Sequence, residues 1–196
     1  LYLGCDLNKM DFIKKNNDIP IILWNHRWEY DKNPEVFFNT LFKLNNDNIK
    51  FKLVILGEKF NKFPEIFNKA QEELKNNILH VGYCESFSEY KKWLCAADIL
   101  PVTSNQDFFG VSIIEAIYCN VIPLLPNRLS YPEILSKDCF PELFYKDNNF
   151  YNRLNRLIRD YKNLRNSISD YKKLIIRFDW QIIKNEYDRT FEEICN

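Results

Sequence analysis

Short apolar runs alternate with stretches of helical period along most of this chain, and that alternation limits the folds open to it. Ile19-Pro20-Ile21-Ile22-Leu23-Trp24 reads as a buried strand, as do Phe51 to Leu56, Ile78 to Val81, Ile99 to Thr103 and Val121-Ile122-Pro123-Leu124-Leu125. Pro34, with Asn33 as N-cap, opens a helix whose apolar stripe is Phe37, Phe38, Leu41 and Leu44. Pro64 opens a second with Ile66, Phe67, Ala70 and Leu74, and Ser86-Phe87-Ser88-Glu89 is a capping box in front of Tyr90, Trp93, Leu94 and Ala97. Val111 to Tyr118 is a further helix, and from Asn149 the pattern stays helical, broken near Phe178-Asp179-Trp180. Strands and helices in this order pack as a parallel sheet with helices on both faces, a doubly wound α/β domain.

Composition narrows the function classes. With 46% hydrophobic and 16% aromatic residues in 196, the chain has ample material for one core, which excludes intrinsic disorder. Lys+Arg 27 balance Asp+Glu 27, so nothing is held by bulk charge, although a local basic patch remains open. No apolar run approaches the ~20 residues that span a bilayer. The chain opens Leu1-Tyr2-Leu3-Gly4, without an initiator Met or a signal-peptide pattern, and reads as part of a longer protein. Cys5, Cys84, Cys95, Cys119, Cys139 and Cys195 are scattered, with no CxxC and no Cys/His cluster. Zinc is therefore not expected, and reduced thiols of a cytoplasmic protein are.

Ligands of open parallel sheets bind at the C-terminal ends of the strands. Of the four glycines, Gly57, Gly82 and Gly110 each fall at or just beyond such an end. Each alone reads as an ordinary βα turn; three on one edge of so glycine-poor a chain point to a binding crest. GxGxxG and GxxxxGK[ST] are both absent, which removes the usual support for dinucleotide and P-loop chemistry. Arg27 and Lys32 lie in the loop after the first strand, where the ordinary reading is a solvated loop. The helix that begins near Gly110 directs its N–H groups and positive dipole end at the same edge, a second means of holding a phosphate.

Asp107 precedes that helix and Glu115 lies within it, seven residues between them. Two carboxylates at different depths can accept hydrogen bonds from two hydroxyl-bearing groups of one ligand. As a helix-start carboxylate, Asp107 has a purely structural explanation. Glu115 has apolar neighbours in Ile113, Ile114, Ala116 and Ile117, so its carboxylate must be paired or functional. His26 could stand beside a phosphate, and a structural histidine is at least as good a reading.

The Asp107-x7-Glu115 frame with Phe109-Gly110-Val111 resembles the EX7E motif of the retaining glycosyltransferases of GT-B fold, family 4. The order Arg27, Lys32, Gly57, Gly82, Asp107, Glu115, Pro123 and Pro132-Glu133 is similar to the donor-binding half of that family over nearly the whole chain. The block from Ile22 to Pro34, with Leu56-Gly57-Glu58, Asp107-Phe108-Phe109-Gly110-Val111 and Tyr131-Pro132-Glu133-Ile134, resembles the glycosyltransferase-like domain-containing subgroup. That subgroup includes the tRNA-queuosine mannosyltransferases.

The resemblance implies a Rossmann-like doubly wound sheet, the C-terminal half of a GT-B glycosyltransferase. It implies residues 1–18 as an interdomain lead, 19–177 as the nucleotide-sugar donor-binding domain, and 178–196 as a helix that packs back toward an N-terminal acceptor-binding domain. It implies transfer of a hexose, mannose from GDP-mannose, to queuosine in tRNA, with no cofactor and no metal, and with tRNA as a partner. Arg27 and Lys32 would hold the donor diphosphate, whose growing charge two cations and a helix N-terminus can stabilise. Asp107 would contact sugar hydroxyls. Phe108, Phe109, Gly110 and Val111 would present backbone N–H groups, and Glu115 would bind the ribose. Gly57 is a further donor-binding position, while Gly82 and Tyr83 would border the base. The motif's first acid is Glu in the family and Asp107 here, one methylene shorter. The half that carries the acceptor site is a separate domain, so this chain alone is expected not to turn over.

Two other readings stand beside this one. One is a non-catalytic nucleotide-sugar binding domain, or a family 4 transferase with another donor and acceptor. The other places RNA on a helix bearing Arg153, Arg156, Arg159, Lys162 and Arg165, against which stands the ordinary solvated charged face.

Overall fold

In the computed structural model, which describes residues 4–10, 16–58, 62–165 and 168–195, the five expected strands form one sheet. They are β1 (Ile21–Trp24), β2 (Lys52–Leu56), β3 (Ile78–Gly82), β4 (Ile99–Pro101) and β5 (Ile122–Pro126). A sixth, β6 (Phe144–Tyr145), has only two residues, too short for any periodicity to announce it. The order is β3-β2-β1-β4-β5-β6 and every pairing is parallel. The middle strands β1 and β5 are buried at every residue, which is why they read as unbroken apolar runs.

Helices α1 (Pro34–Asn46), α2 (Ile66–Glu73), α3 (Phe87–Ala96) and α4 (Val111–Tyr118) follow the first four strands. The short α5 (Tyr131–Ile134) comes after β5, and α6 (Phe150–Leu164), α7 (Ile168–Ile175) and α8 (Trp180–Cys195) close the chain. Helix α1 buries Phe37, Phe38, Leu41 and Leu44, the stripe its spacing announced. Asn33 occupies the N-cap of α1 in a left-handed conformation, φ 52°, and makes no side-chain cap hydrogen bond. Its amide lies 3.5 Å from Asn105 Oδ1 instead. Ser86 does cap α3, accepting from Glu89 N at 3.2 Å. The reciprocal bond of the box goes one residue further back, from Glu85 N to Glu89 Oε2 at 3.3 Å.

An aromatic cluster anchors the first strand and its loop. Trp24 packs edge-on to Phe37 and Phe67 at 5.0 and 5.5 Å, and Trp28 stacks flat on Phe67 at 4.3 Å. Both indoles find carbonyls: Trp24 Nε1 donates to His26 O and Trp28 Nε1 to Leu56 O. The two tryptophans of the Trp-Asn-His-Arg-Trp block thus hold the backbone of the loop between them.

The lead segment is tied to the far end of the chain. Cys5 N donates to Phe178 O and Trp180 N to Cys5 O, both at 2.8 Å, and Trp180 covers Gly4 so closely that a Cβ there would sit 2.0 Å from the indole. All six cysteines stand as thiols. Among the described residues no helix is long and apolar enough to cross a membrane.

Candidate donor-binding site

Strand order reverses between β1 and β4, because β2 and β3 lie on one side of β1 and β5 and β6 on the other. The loops leaving β1 and β4 therefore separate and leave a crevice above the carboxyl ends of the strands. They are knitted together below it. Asn105 N donates to Asp31 O at 2.7 Å, Thr103 Oγ1 to Lys32 O at 2.9 Å, and Asn25 Nδ2 to Ser112 O at 3.0 Å. Arg128 braces the second loop from beneath, donating to the carbonyls of Thr103 and Ser104 and pairing with Asp147 at 2.5 Å.

Two cavities of about 340 Å³ each open along this crevice and share Asn25 as a wall. The first is lined by Arg27, Lys32, Asp107, Phe108, Phe109, Gly110 and Val111, so it gathers seven of the residues singled out in the sequence. His26 and Ser112 complete it. Gly110 is the N-cap of α4 and its carbonyl accepts from Ile113 N and Ile114 N, so it is the N–H groups at the start of the helix, at Val111 and Ser112, that open on this cavity. Arg27 is 58% exposed and pairs with Glu29 at 3.1 Å; Lys32 is only 12% exposed and donates to Gln106 O at 2.8 Å beside Asp31. Lys32 is thus held within the loops, and Arg27 stands at the surface. Phe108 projects into solvent, whereas Phe109 is pinned edge-on against Phe178 at 5.3 Å.

The half-buried Asp107 accepts from Tyr131 Oη at 3.1 Å. Burial, and then the Asp107 charge, push the Tyr131 phenol above its ordinary range, so it stays a donor. His26 is 5% exposed, and burial lowers its imidazole to about 4; the Asp107 charge opposes that shift and the Lys32 ammonium adds to it. His26 is therefore a neutral wall of the cavity at pH 7, and its Nε2 is buried without a hydrogen-bond partner.

Besides Asn25, the second cavity is lined by Leu56, Gly57, Tyr83, Cys84, Glu85, Ser86, Phe87 and Tyr90. Gly57 lets the two loops touch, since a Cβ there would lie 2.1 Å from His26 O. Gly82 ends β3 and delivers Tyr83, which is 64% exposed, to the cavity mouth. Glu115 stands behind this cavity: Tyr90 Oη donates to Glu115 Oε2 at 2.8 Å. Burial raises the Glu115 carboxyl and the Tyr90 bond partly restores it. The carboxylate that had to be paired or functional is paired, with one oxygen taken by Tyr90.

Arg27, Lys32 and Asp107 thus share one cavity, Gly57 and Tyr83 line its neighbour, and Glu115 reaches the second through Tyr90. Asn25, Tyr90, Arg128 and Tyr131 were not foreseen. Asn25 lies within the Ile22-to-Pro34 block and Tyr131 within Tyr131-Pro132-Glu133-Ile134, whereas Tyr90 carries no motif, and a Tyr one turn inside a capped helix is a visible signal. On the basic helix Arg156, Arg159 and Lys162 stay exposed, each with a polar partner at the surface. Arg165 turns inward to the buried Asp98, Arg156 lies 3.6 Å from Asp160, Arg159 donates to Asn155 and Lys162 to Asp18.

Known proteins agree with this architecture. The family model of the glycosyl transferases group 1 matches residues 7–174. The chain is 38% identical over 142 residues to the tRNA-queuosine alpha-mannosyltransferase of Drosophila melanogaster, covering 72% of this chain and 35% of that protein. The sucrose-phosphate synthase of Thermosynechococcus elongatus superposes with a TM-score of 0.82 at 17% identity, over 98% of this chain and 51% of that one. Anabaena Alr3699/HepE in complex with UDP does so with a TM-score of 0.76 at 15% identity, over 97% and 56%. The chain thus spans about a third of the curated relative and about half of each solved one. The architecture is that of these GT-B neighbours, and the match over residues 7–174 places the chain in the glycosyl transferases of group 1.

Proposed function

We propose that the chain is the donor-binding half of a retaining hexosyltransferase that moves mannose from GDP-mannose to queuosine in tRNA. One observation carries the donor part: a cationic cavity at a helix N-terminus adjoins, at Asn25, a second cavity with an aromatic mouth. A nucleotide sugar needs both. Lys32, Arg27 and the first turn of α4 neutralise the diphosphate, and their charge is placed where the leaving group becomes more anionic as the glycosidic bond breaks. Asp107, oriented by Tyr131, accepts from sugar hydroxyls, while the backbone of Phe108 to Val111 frames the sugar and phosphates. The oxygen of Glu115 not engaged by Tyr90 receives a ribose hydroxyl, and Gly57, Gly82 and Tyr83 border the base. Donor binding by these groups needs no cofactor and no metal. Mannose and tRNA are read from the 38% identity to the mannosyltransferase, and turnover requires the acceptor-binding domain of the longer protein.

Calorimetry with GDP, UDP and GDP-mannose tests the reading. GDP is expected to bind more tightly than UDP, and Arg27→Ala or Glu115→Ala to weaken it by about tenfold, about 1.4 kcal/mol each. Unchanged affinity in both variants refutes the site. The fold neighbour holding UDP favours a second reading, a uridine donor with another acceptor, and tighter UDP binding would select it. Binding without mannosyl transfer to queuosine tRNA by the full-length protein would instead indicate a non-catalytic binding domain.

A further inference from the structure

Metal-ligating side chains meet at the β3 flank of the crevice, away from the β1 and β4 loops that carry Lys32 and Asp107. His80 on β3, Cys84 in the loop beyond it and Glu89 in the first turn of α3 each bring one ligand atom to within 4.8 Å of the others. In sequence Cys84 is four positions after His80 and Glu89 five after Cys84, with no second Cys or His beside them to announce a metal; the turn of the chain after Gly82 brings Cys84 back toward His80. Cys84 is buried. The Nε2 of His80 is buried without a hydrogen-bond partner, although its ring is held on Trp93 at 4.9 Å. Buried ring nitrogens ordinarily have a partner, and a metal ion is one that supplies it. Glu89 Oε2 accepts from Glu85 N, the kind of outer hydrogen bond that orients a ligating carboxylate.

We propose that His80, Cys84 and Glu89 form a zinc site. A thiolate, an imidazole and a carboxylate make the mixed, borderline-soft set that selects Zn²⁺ over the hard cations Mg²⁺ and Ca²⁺. Tetrahedral ligands at zinc stand about 3.3–3.8 Å apart, so binding asks the cluster to contract by roughly an ångström. Three protein ligands leave a fourth position for water or an incoming group. The ion ties the end of β3 to the start of α3 and so fixes the intervening segment, which walls the second cavity. This holds whichever nucleotide, if any, occupies that cavity.

The test uses Co²⁺ as a spectroscopic probe and Zn²⁺ as competitor, in a chain carrying Cys139→Ser and Cys195→Ser so that the two exposed thiols cannot contribute. One equivalent of Co²⁺ is expected to give a thiolate-to-cobalt charge-transfer band that Zn²⁺ displaces. Cys84→Ser is expected to abolish the band, and His80→Gln and Glu89→Gln to weaken Co²⁺ binding by at least about tenfold. No band in the parent chain overturns the proposal, as does a band that survives Cys84→Ser. Should Cys84→Ser fail to fold, the half-buried Glu89 and His80 decide the matter: parent affinity in both substituted chains rejects the site.

Discussion

His26 shows how one residue is set by its surroundings. Sealed under the β1 loop and held neutral, its imidazole titrates near 4 in the fold and near 6.5 when unfolded. Between those values the unfolded chain binds the extra proton, so stability rises with pH there. The contribution is full above about 6.5 and disappears as pH falls to about 4. Urea unfolding between pH 7 and pH 4 should lose on the order of 3 kcal/mol from this group, and His26→Gln should flatten that part of the profile. An unchanged profile in the variant would show the titration to lie elsewhere. Gly57 is the steric counterpart. At φ +119° and 2.1 Å from His26 O, an alanine Cβ has no place to go, so Gly57→Ala should cost at least about 2 kcal/mol. Gly82 shares the backbone conformation but would meet nothing within 4 Å. Gly82→Ala should therefore cost only about 1 kcal/mol, and equal costs from thermal melts would deny the close contact its role.

Elements are joined in this protein by a few polar pins at the ends of strands. At the amino end of the sheet Asp98 is buried, accepts from Ile21 N at 2.9 Å and from Asn17 Nδ2 at 2.8 Å, and pairs with Arg165 from the end of α6. One carboxylate thus fixes β1, β4 and α6 against one another. Removing Arg165 leaves a desolvated charge behind, so Arg165→Ala should destabilise by about 3 kcal/mol, while exposed Arg156→Ala should change stability by about 0.5 kcal/mol or less. Chemical denaturation of the two variants checks the contrast. At the carboxyl end Arg128 does the equivalent for the loop after β4, holding the carbonyls that lead to Asp107. Both pins link residues distant in sequence, and neither leaves a trace in local periodicity.

For the molecule as a whole, the lead segment meets the start of the last helix. The bridge between Cys5 and Asp179 and the cover of Trp180 over Gly4 place the start of α8 beside the lead segment. Helix α8 buries Ile183 and exposes Trp180, Ile182, Phe191 and Ile194. We propose that this apolar surface packs on an N-terminal domain; the chain spans about a third to a half of the proteins it matches. The acceptor surface is not expected on α6, where Arg156, Arg159, Lys162 and Arg165 have partners in Asp160, Asn155, Asp18 and Asp98. Reversing Arg153, Arg156 and Arg159 should therefore leave the full-length protein's tRNA affinity within about twofold in a filter-binding titration. A loss of tenfold or more would return RNA to that helix. Five of the six strands, the long helices, and the place of Arg27, Lys32 and Asp107 on one edge were legible in the sequence. The period of apolar residues reports which face of an element is buried, and strand ends in a parallel sheet all point one way. What only the tertiary structure decided was the company each side chain keeps. Tyr90 on Glu115, Tyr131 on Asp107, Arg128 under the β4 loop and His80 beside Cys84 and Glu89 depend on packing between separate elements, and no local rule encodes the distances between them.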